Sequence, residues 1–214
     1  MNNLSSYIDL TLLKVSASET DIKNLIKNAI NTNCYSVCIN PYYVKFAKKY
    51  IAKNYPQSNL KICSVVGFPL GSIPLKLKKQ EAIQAVKDGA DEIDMVINVG
   101  AFKSKKYTYV LKEINAICSV SPIVKVIIET SEYTNDEIIT LCNIFNQSDA
   151  LFIKTSTGFS SSGAKIEDVK LIKEHLIPNK LIKASGGIKS REFALDLINA
   201  GANRIGTSSA HLWL

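Results

Sequence analysis

Ala150-Leu151-Phe152-Ile153-Lys154-Thr155-Ser156-Thr157-Gly158-Phe159 is a short apolar run with a lysine at its carboxyl end and a small-residue loop behind it. A run of this length and composition reads as a buried parallel strand. The lysine is the anomaly, because an ammonium among apolar side chains is costly unless it is paired or its pKa falls. Lys180-Leu181-Ile182-Lys183-Ala184-Ser185-Gly186-Gly187-Ile188 repeats the design, with a strand, a terminal lysine and a glycine loop. Two lysines at matching depths on consecutive strands face each other, and that pair is the candidate for chemistry.

A unit of strand followed by helix recurs outward from this pair. Residues 7–13, 35–40, 61–68, 92–98 and 124–129 are strand candidates, followed in turn by helices over about 18–31, 41–54, 75–88, 105–120 and 135–146. The sixth strand, 151–155, precedes a helix over 166–176; the seventh, 181–185, precedes one over 190–200; the eighth, 204–207, is followed by Ser208–Leu214. Ser18 and its acidic neighbours cap the first helix, Pro41 suits a first helical turn, and Gly89 a C-terminal cap. Strands alternating with helices in this way are parallel. No Pro/Gly/Ser-rich linker interrupts the series, so residues 1–214 are read as one α/β domain, a closed (β/α)8 TIM barrel. A doubly wound open sheet is the alternative; against it, no Gly-x-Gly-x-x-Gly follows the first strand.

Composition narrows the function classes. Hydrophobic residues make up 46% and charged residues 21% of 214, enough for a substantial core. The formal charge of +7 is almost wholly lysine, since Arg191 and Arg204 are the only arginines. Lysines such as Lys45, Lys48, Lys49 and Lys53 are scattered over helical faces, which reads as a solvated surface and not as a nucleic-acid site. A positive field still attracts a phosphorylated substrate. No apolar run reaches the ~18 residues of a membrane span, and Met1–Tyr7 lacks a signal-peptide pattern, so a soluble cytoplasmic protein is expected. Five cysteines without CxxC spacing read as free buried thiols of a reducing compartment. With only His175 and His211, no protein-ligated metal is expected.

In a barrel, active groups gather at the carboxyl ends of the strands, and phosphate often sits on the loops after the seventh and eighth. Those loops are Ser185-Gly186-Gly187-Ile188 and Gly206-Thr207-Ser208-Ser209, rich in backbone donors and hydroxyls. A glycine loop alone does no more than turn the chain; the coincidence of two such loops points to a phosphate site. A free lysine has a pKa near 10.4, and a nucleophilic amine needs it lowered by about three units. Adjacent strands lie about 4.8 Å apart, close enough for Lys154 and Lys183 to depress one another. The alternative is a lysine that snorkels to the rim or pairs with a carboxylate. Asp94, inside the fourth strand, needs a partner and can relay a proton through water. Lys125 and Glu129 share a strand face, which fits an internal salt bridge.

The sequence resembles the deoxyribose-phosphate aldolases, class I Schiff-base aldolases on a TIM barrel. The resemblance lies in Ile8–Leu13, Val37-Cys38-Ile39-Asn40-Pro41, Val66-Gly67-Phe68-Pro69-Leu70-Gly71, Asp88–Asn98, Lys125–Thr130, Phe152–Gly163, Lys183–Ile188 and Gly201–Ser209. It implies reversible aldol cleavage of 2-deoxy-D-ribose 5-phosphate in deoxyribonucleotide catabolism, with no cofactor and no metal. It implies that Lys154 forms the imine, that Lys183 perturbs it and shares in proton transfer, and that Asp94 is the proton relay. Thr157, Gly158, Gly186, Gly187, Gly206, Ser208 and Ser209 fall where the family binds substrate hydroxyls and phosphate, and Asp9 and Lys125 match supporting polar residues. A homodimer or homotetramer is implied, with neither nucleic acid nor membrane as partner. Some members carry a longer tail ending in a tyrosine that assists proton exchange, where this sequence ends His211-Leu212-Trp213-Leu214, and some carry a lysine at the position of Phe159. Two rivals stay open: another class I phosphosugar aldolase, and a non-catalytic phosphate- or RNA-binding barrel.

Overall fold

In the computed structural model, which describes residues 4–121 and 123–214, all the expected strands form. They are β1 (Ile8–Leu12), β2 (Ser36–Ile39), β3 (Lys61–Val66), β4 (Glu92–Val96), β5 (Val124–Ile127), β6 (Phe152–Lys154), β7 (Leu181–Ser185) and β8 (Arg204–Thr207). They pair in parallel in chain order, and β8 pairs back onto β1 through Ile8↔Ile205, Asp9↔Gly206 and Leu10↔Thr207. That last pairing closes the barrel and removes the open doubly wound sheet.

The helices are α1 (Glu19–Asn31), α2 (Val44–Asn54), α3 (Leu75–Asp88), α4 (Val99–Lys103), α5 (Tyr107–Cys118), α6 (Asn135–Asn146), α7 (Ile166–His175) and α8 (Arg191–Asn199). Each long helix turns an apolar stripe inward; in α1 it is Ile22, Leu25, Ile26 and Ala29, the i, i+3, i+4, i+7 spacing of one helical face. Capping boxes fix two starts, Ser18 with Asp21 on α1 and Thr134 with Glu137 on α6, each worth about 1 kcal/mol. After β8 the chain forms a 3-10 turn, Ala210–Leu212.

Three strands, β3, β4 and β5, end two residues earlier than expected, and the reason is local. Gly67 after β3 has φ +64° and Glu129 after β5 has φ +61°, which take the chain out of extended conformation. Past β4, the Asn98 side chain accepts a hydrogen bond from Ala101 N–H at 2.9 Å and caps α4, a short helix the sequence reading missed. Residues expected at strand tips therefore stand in loops at the carboxyl-end mouth.

The sheet separates two apolar groups. Outward residues such as Ile8, Leu10, Val37, Ile39, Ile93, Val126, Ile153, Ile182 and Ile205 belong to the large core under the helices. Among the described residues, Leu13, Cys38, Cys63 and Val65 form a second, small cluster inside the barrel. TIM-barrel interiors are usually filled by branched apolar side chains. Much of this one is filled by charge.

Candidate active site

Seven ionisable side chains from six strands meet inside the barrel in one connected network. Lys125 Nζ lies 2.8 Å from Asp94 Oδ1 and 2.5 Å from Glu92 Oε2. Lys183 Nζ lies 2.7 Å from Asp94 Oδ2 and 2.5 Å from Asp9 Oδ2. Arg204 Nη1 lies 2.8 Å from Asp9 Oδ1 and 3.3 Å from Glu92 Oε2, with its guanidinium 3.6 Å from the centre of the Tyr35 ring. Lys154 Nζ lies 2.8 Å from the same Asp94 Oδ2 that holds Lys183. All seven side chains are buried. Removing so many charges from water is tolerable only because each is met by opposite charge at hydrogen-bond distance.

The strand register produces this meeting. Lys154 and Lys183 are direct partners across β6 and β7, and Asp94 and Lys125 are partners across β4 and β5. The two lysine nitrogens on one carboxylate oxygen are thus within two hydrogen-bond lengths of each other. Their surroundings differ. Lys183 and Lys125 each meet two carboxylates within 3 Å, whereas Lys154 meets one.

Burial pushes the Asp94 carboxyl upward, but Lys125, Lys154 and Lys183 outweigh it and hold the group well below the usual carboxylate range. Burial likewise favours a neutral Lys183, yet Asp9 and Asp94 overcome it and raise its pKa. Mutual depression of the two lysines was the expectation; for Lys183 the direction is reversed, because two buried carboxylates outweigh burial and the Lys125 cation. Lys183 is a held ammonium, and Asp94 a held carboxylate.

Above the network lies a cavity of about 210 Å3 at the carboxyl-end mouth. Of the seven charged groups, Lys154 alone lines it; the rest of its wall includes Thr157, Gly158, Phe159, Gly186, Gly187, Gly206 and Ser208. Two of these glycines are required by space: at Gly206 a Cβ would lie 2.9 Å from Ser185 Cβ and 3.1 Å from Lys183 Cε, and at Gly186 it would lie 2.9 Å from Gly163 Cα. Lys14 and Lys189, both exposed, also line this cavity. An amine at the floor, backbone donors on the wall and cations at the rim suit an anionic carbonyl compound.

Residues 5–209 match the model of the DeoC/LacD family of aldolases. The chain belongs to that family. It is 47% identical over 210 residues to the deoxyribose-phosphate aldolase of Thermococcus kodakarensis, covering 96% of this chain and 93% of that one. It is 49% identical over 208 residues to the deoxyribose-phosphate aldolase of Finegoldia magna, with 96% of each chain covered. Among solved structures, the tetrameric deoxyribose phosphate aldolase of Aeropyrum pernix superposes with a TM-score of 0.88 at 33% identity, over 97% of this chain and 87% of that one.

Most residues singled out from the aldolase sequence converge. Lys154, Lys183 and Asp94 meet at one carboxylate oxygen, and Asp9 and Lys125 belong to the same network. Thr157, Gly158, Gly186, Gly187, Gly206 and Ser208 line the cavity with Lys154. Ser209 stands outside that wall; its hydroxyl donates to the Ile188 carbonyl at 3.2 Å and accepts from Trp213 Nε1 at 3.3 Å. The salt bridge between Lys125 and Glu129 does not form. Strand alternation ends at Ile127, so Lys125 turns to Asp94 and Glu92 while Glu129 takes the Thr157 N–H at 3.2 Å and its hydroxyl. Burial raises the Glu129 pKa against those two bonds.

Glu92, Arg204, Cys38 and Cys63 were not singled out as members of this network. Glu92 stands two residues before Asp94 and so on the same strand face, and Arg204 is the register partner of Lys183. Those alternations were the available signal. The two thiols reached Asp94 through register alone: Cys63 Sγ donates to Asp94 Oδ1 at 3.0 Å and accepts from Lys125 Nζ at 3.3 Å.

Proposed function

We propose that this aldolase is a class I, Schiff-base enzyme that reversibly cleaves 2-deoxy-D-ribose 5-phosphate into acetaldehyde and D-glyceraldehyde 3-phosphate. The observation that carries the reading is the shared Asp94 oxygen. It holds two lysines, of which only Lys154 opens into the cavity. The name borne by the relatives supplies the substrate.

The network contains four cations, Lys125, Lys154, Lys183 and Arg204, against three anions, Asp9, Glu92 and Asp94. Loss of the Lys154 proton brings these seven groups to formal neutrality and frees the amine. Neutral Lys154 attacks C1 of the open-chain sugar, and loss of water gives a protonated imine. That cation takes the place of the ammonium beside Asp94, so imine formation restores the starting charge. A water held by Asp94 and Lys183 accepts the C3 hydroxyl proton as the C2–C3 bond breaks. Asp94 is suited to accept and Lys183 to donate, by the protonation states their neighbours impose. The electron pair flows into the imine, leaving an enamine and D-glyceraldehyde 3-phosphate. Protonation of the enamine at C2 and hydrolysis release acetaldehyde and regenerate Lys154.

The phosphate is received by backbone donors of Gly186, Gly187 and Gly206 and by Ser208, with Lys14 and Lys189 at the rim. Thr157 meets a substrate hydroxyl, and Ser209 holds the eighth loop in shape. Among the described residues no helix is long and apolar enough to cross a membrane. A cytoplasmic homodimer or homotetramer, built as one domain and serving deoxyribonucleotide breakdown, fits the reading; light scattering decides the assembly.

Turnover of 2-deoxyribose 5-phosphate, ribose 5-phosphate and fructose 1,6-bisphosphate by the wild-type chain and by Lys154→Ala tests it. The expected result is cleavage of the deoxy sugar alone, abolished in Lys154→Ala with phosphate binding retained. Preferential cleavage of either other sugar would assign a different aldolase, and no turnover with intact phosphate binding would assign a binder.

A further inference from the structure

Cys38 and Cys63 are register partners on β2 and β3, so their side chains enter the barrel together. Both are fully buried and free, and both thiols reach Asp94, at 3.9 Å from Oδ2 and 3.0 Å from Oδ1 respectively. The two sulfurs and an Asp94 oxygen all lie within 4.8 Å of one another. A tetrahedral zinc site with ordinary Zn–S and Zn–O bonds separates sulfur from oxygen by about 3.5 Å. The observed separations run to different Asp94 oxygens and lie on either side of that value, so turning the Asp94 carboxylate to offer one oxygen to both sulfurs brings three donors onto one ion.

We infer that Cys38, Cys63 and Asp94 form an inhibitory binding site for a thiophilic divalent cation such as Zn2+ or Cd2+. Sequence spacing concealed this site, because its donors come from three strands and share no local motif. The obvious objection is the crowd of ammonium groups around Asp94. It is met by proton release: binding forms two metal–sulfur bonds and frees two thiol protons, so the dication and two thiolates together add no formal charge. Asp94 is already a carboxylate and contributes the third bond. Soft sulfur donors select such ions over Mg2+ or Ca2+, which prefer oxygen.

The consequence for catalysis follows from which oxygen atoms are used. Asp94 Oδ1 accepts from Lys125 and Oδ2 from Lys154 and Lys183. A metal on this carboxylate competes directly with those lysines and takes away the proton acceptor. The route in is short, since Lys154 lines the cavity and sits one hydrogen bond above Asp94. Cys34, Cys118 and Cys142 belong to no such donor cluster among the described residues.

Titration of Cd2+ into the full-length protein tests the site, followed by ultraviolet thiolate-to-metal charge-transfer absorbance and by proton release. The expected result is absorbance that saturates at one equivalent with two protons released, parallel loss of turnover, and recovery with EDTA; Mg2+ does nothing. Cys38→Ser and Cys63→Ser each weaken the metal by about 100-fold or more, the upper end of what even outer-sphere partners contribute. Each variant is compared with its own metal-free rate, which reports that it is folded. Absorbance that fails to saturate near one equivalent, or that is undiminished in both variants, would overturn the site. The absorbance needs no aldol reaction, so a wrong substrate assignment leaves this outcome readable.

Discussion

Replacing Asp94 by asparagine probes the charge balance of the barrel interior. In the native chain this carboxylate meets Lys125, Lys154 and Lys183 at 2.7–2.8 Å, entirely out of water. In the variant, Lys125 keeps Glu92 and Lys183 keeps Asp9, but Lys154 loses its one carboxylate. Stripping a partner from a buried pair costs about 3–5 kcal/mol. Lys154 borders the cavity and has access to water when orphaned, which places the cost near the lower bound, about 3 kcal/mol. For a chain of this size that is roughly 6–12 °C in Tm. Lys154→Met removes the orphan, so Asp94→Asn should cost about 1–3 kcal/mol less in that background. Reversible urea unfolding of the four proteins at pH 7, followed by circular dichroism, gives the cycle. Acid adds a second axis. A carboxyl held below its unfolded value near 3.9 contributes stability that is complete above that pH and is lost as pH falls through the folded value. Asp94→Asn should therefore flatten the acid limb of the stability profile. Additive losses, or an unchanged acid limb, would refute the charge-balance reasoning.

Thr157→Val removes the hydroxyl that joins the Gly158 loop to Glu129; kcat/KM should fall by about 10–100-fold while Tm moves little, read by steady-state kinetics and calorimetry. Gly206→Ala drives a methyl against Ser185 and Lys183, and should cost about 1–3 kcal/mol and raise KM for the phosphorylated sugar. Lys78→Met strands the buried Glu113 carboxylate, whose lysine partner sits 2.6 Å away; it should destabilise by about 3–5 kcal/mol, part of which Glu113→Gln restores, with the rate per folded molecule kept. At alkaline pH the direction reverses. The raised Lys183 pKa gives stability that is full below the unfolded value near 10.4 and lost as pH rises through the folded one, a limb that Lys183→Met should flatten.

The barrel was legible because short apolar runs recur with helical stretches between them, and two of those runs carry a lysine at the end. Capping pairs such as Ser18 with Asp21 placed a helix start to the residue. Strand ends were less legible, since Glu129 reads as a continuation of an apolar strand and only its left-handed backbone takes it elsewhere. The site was half visible. Lys154, Lys183 and Asp94 are charges inside apolar runs, and a buried charge announces itself. Glu92 and Arg204 sit at strand starts, where a charge ordinarily faces water, so their place in the network depends on barrel closure. Lys183 shows the limit of pairwise reasoning. Its cationic neighbour was visible in the sequence, but the two carboxylates that outweigh it come from β1 and β4 and meet it only in the folded barrel.

The central claim is that Lys154 is the amine that forms the imine and that Lys183 stays an ammonium beneath it. Incubation with acetaldehyde, reduction with borohydride and peptide mass analysis address both residues in one experiment. Added mass of one reduced ethyl group on Lys154 alone is the expected result. Modification of Lys183, or an unmodified Lys154 in protein that is turning over substrate, would contradict it.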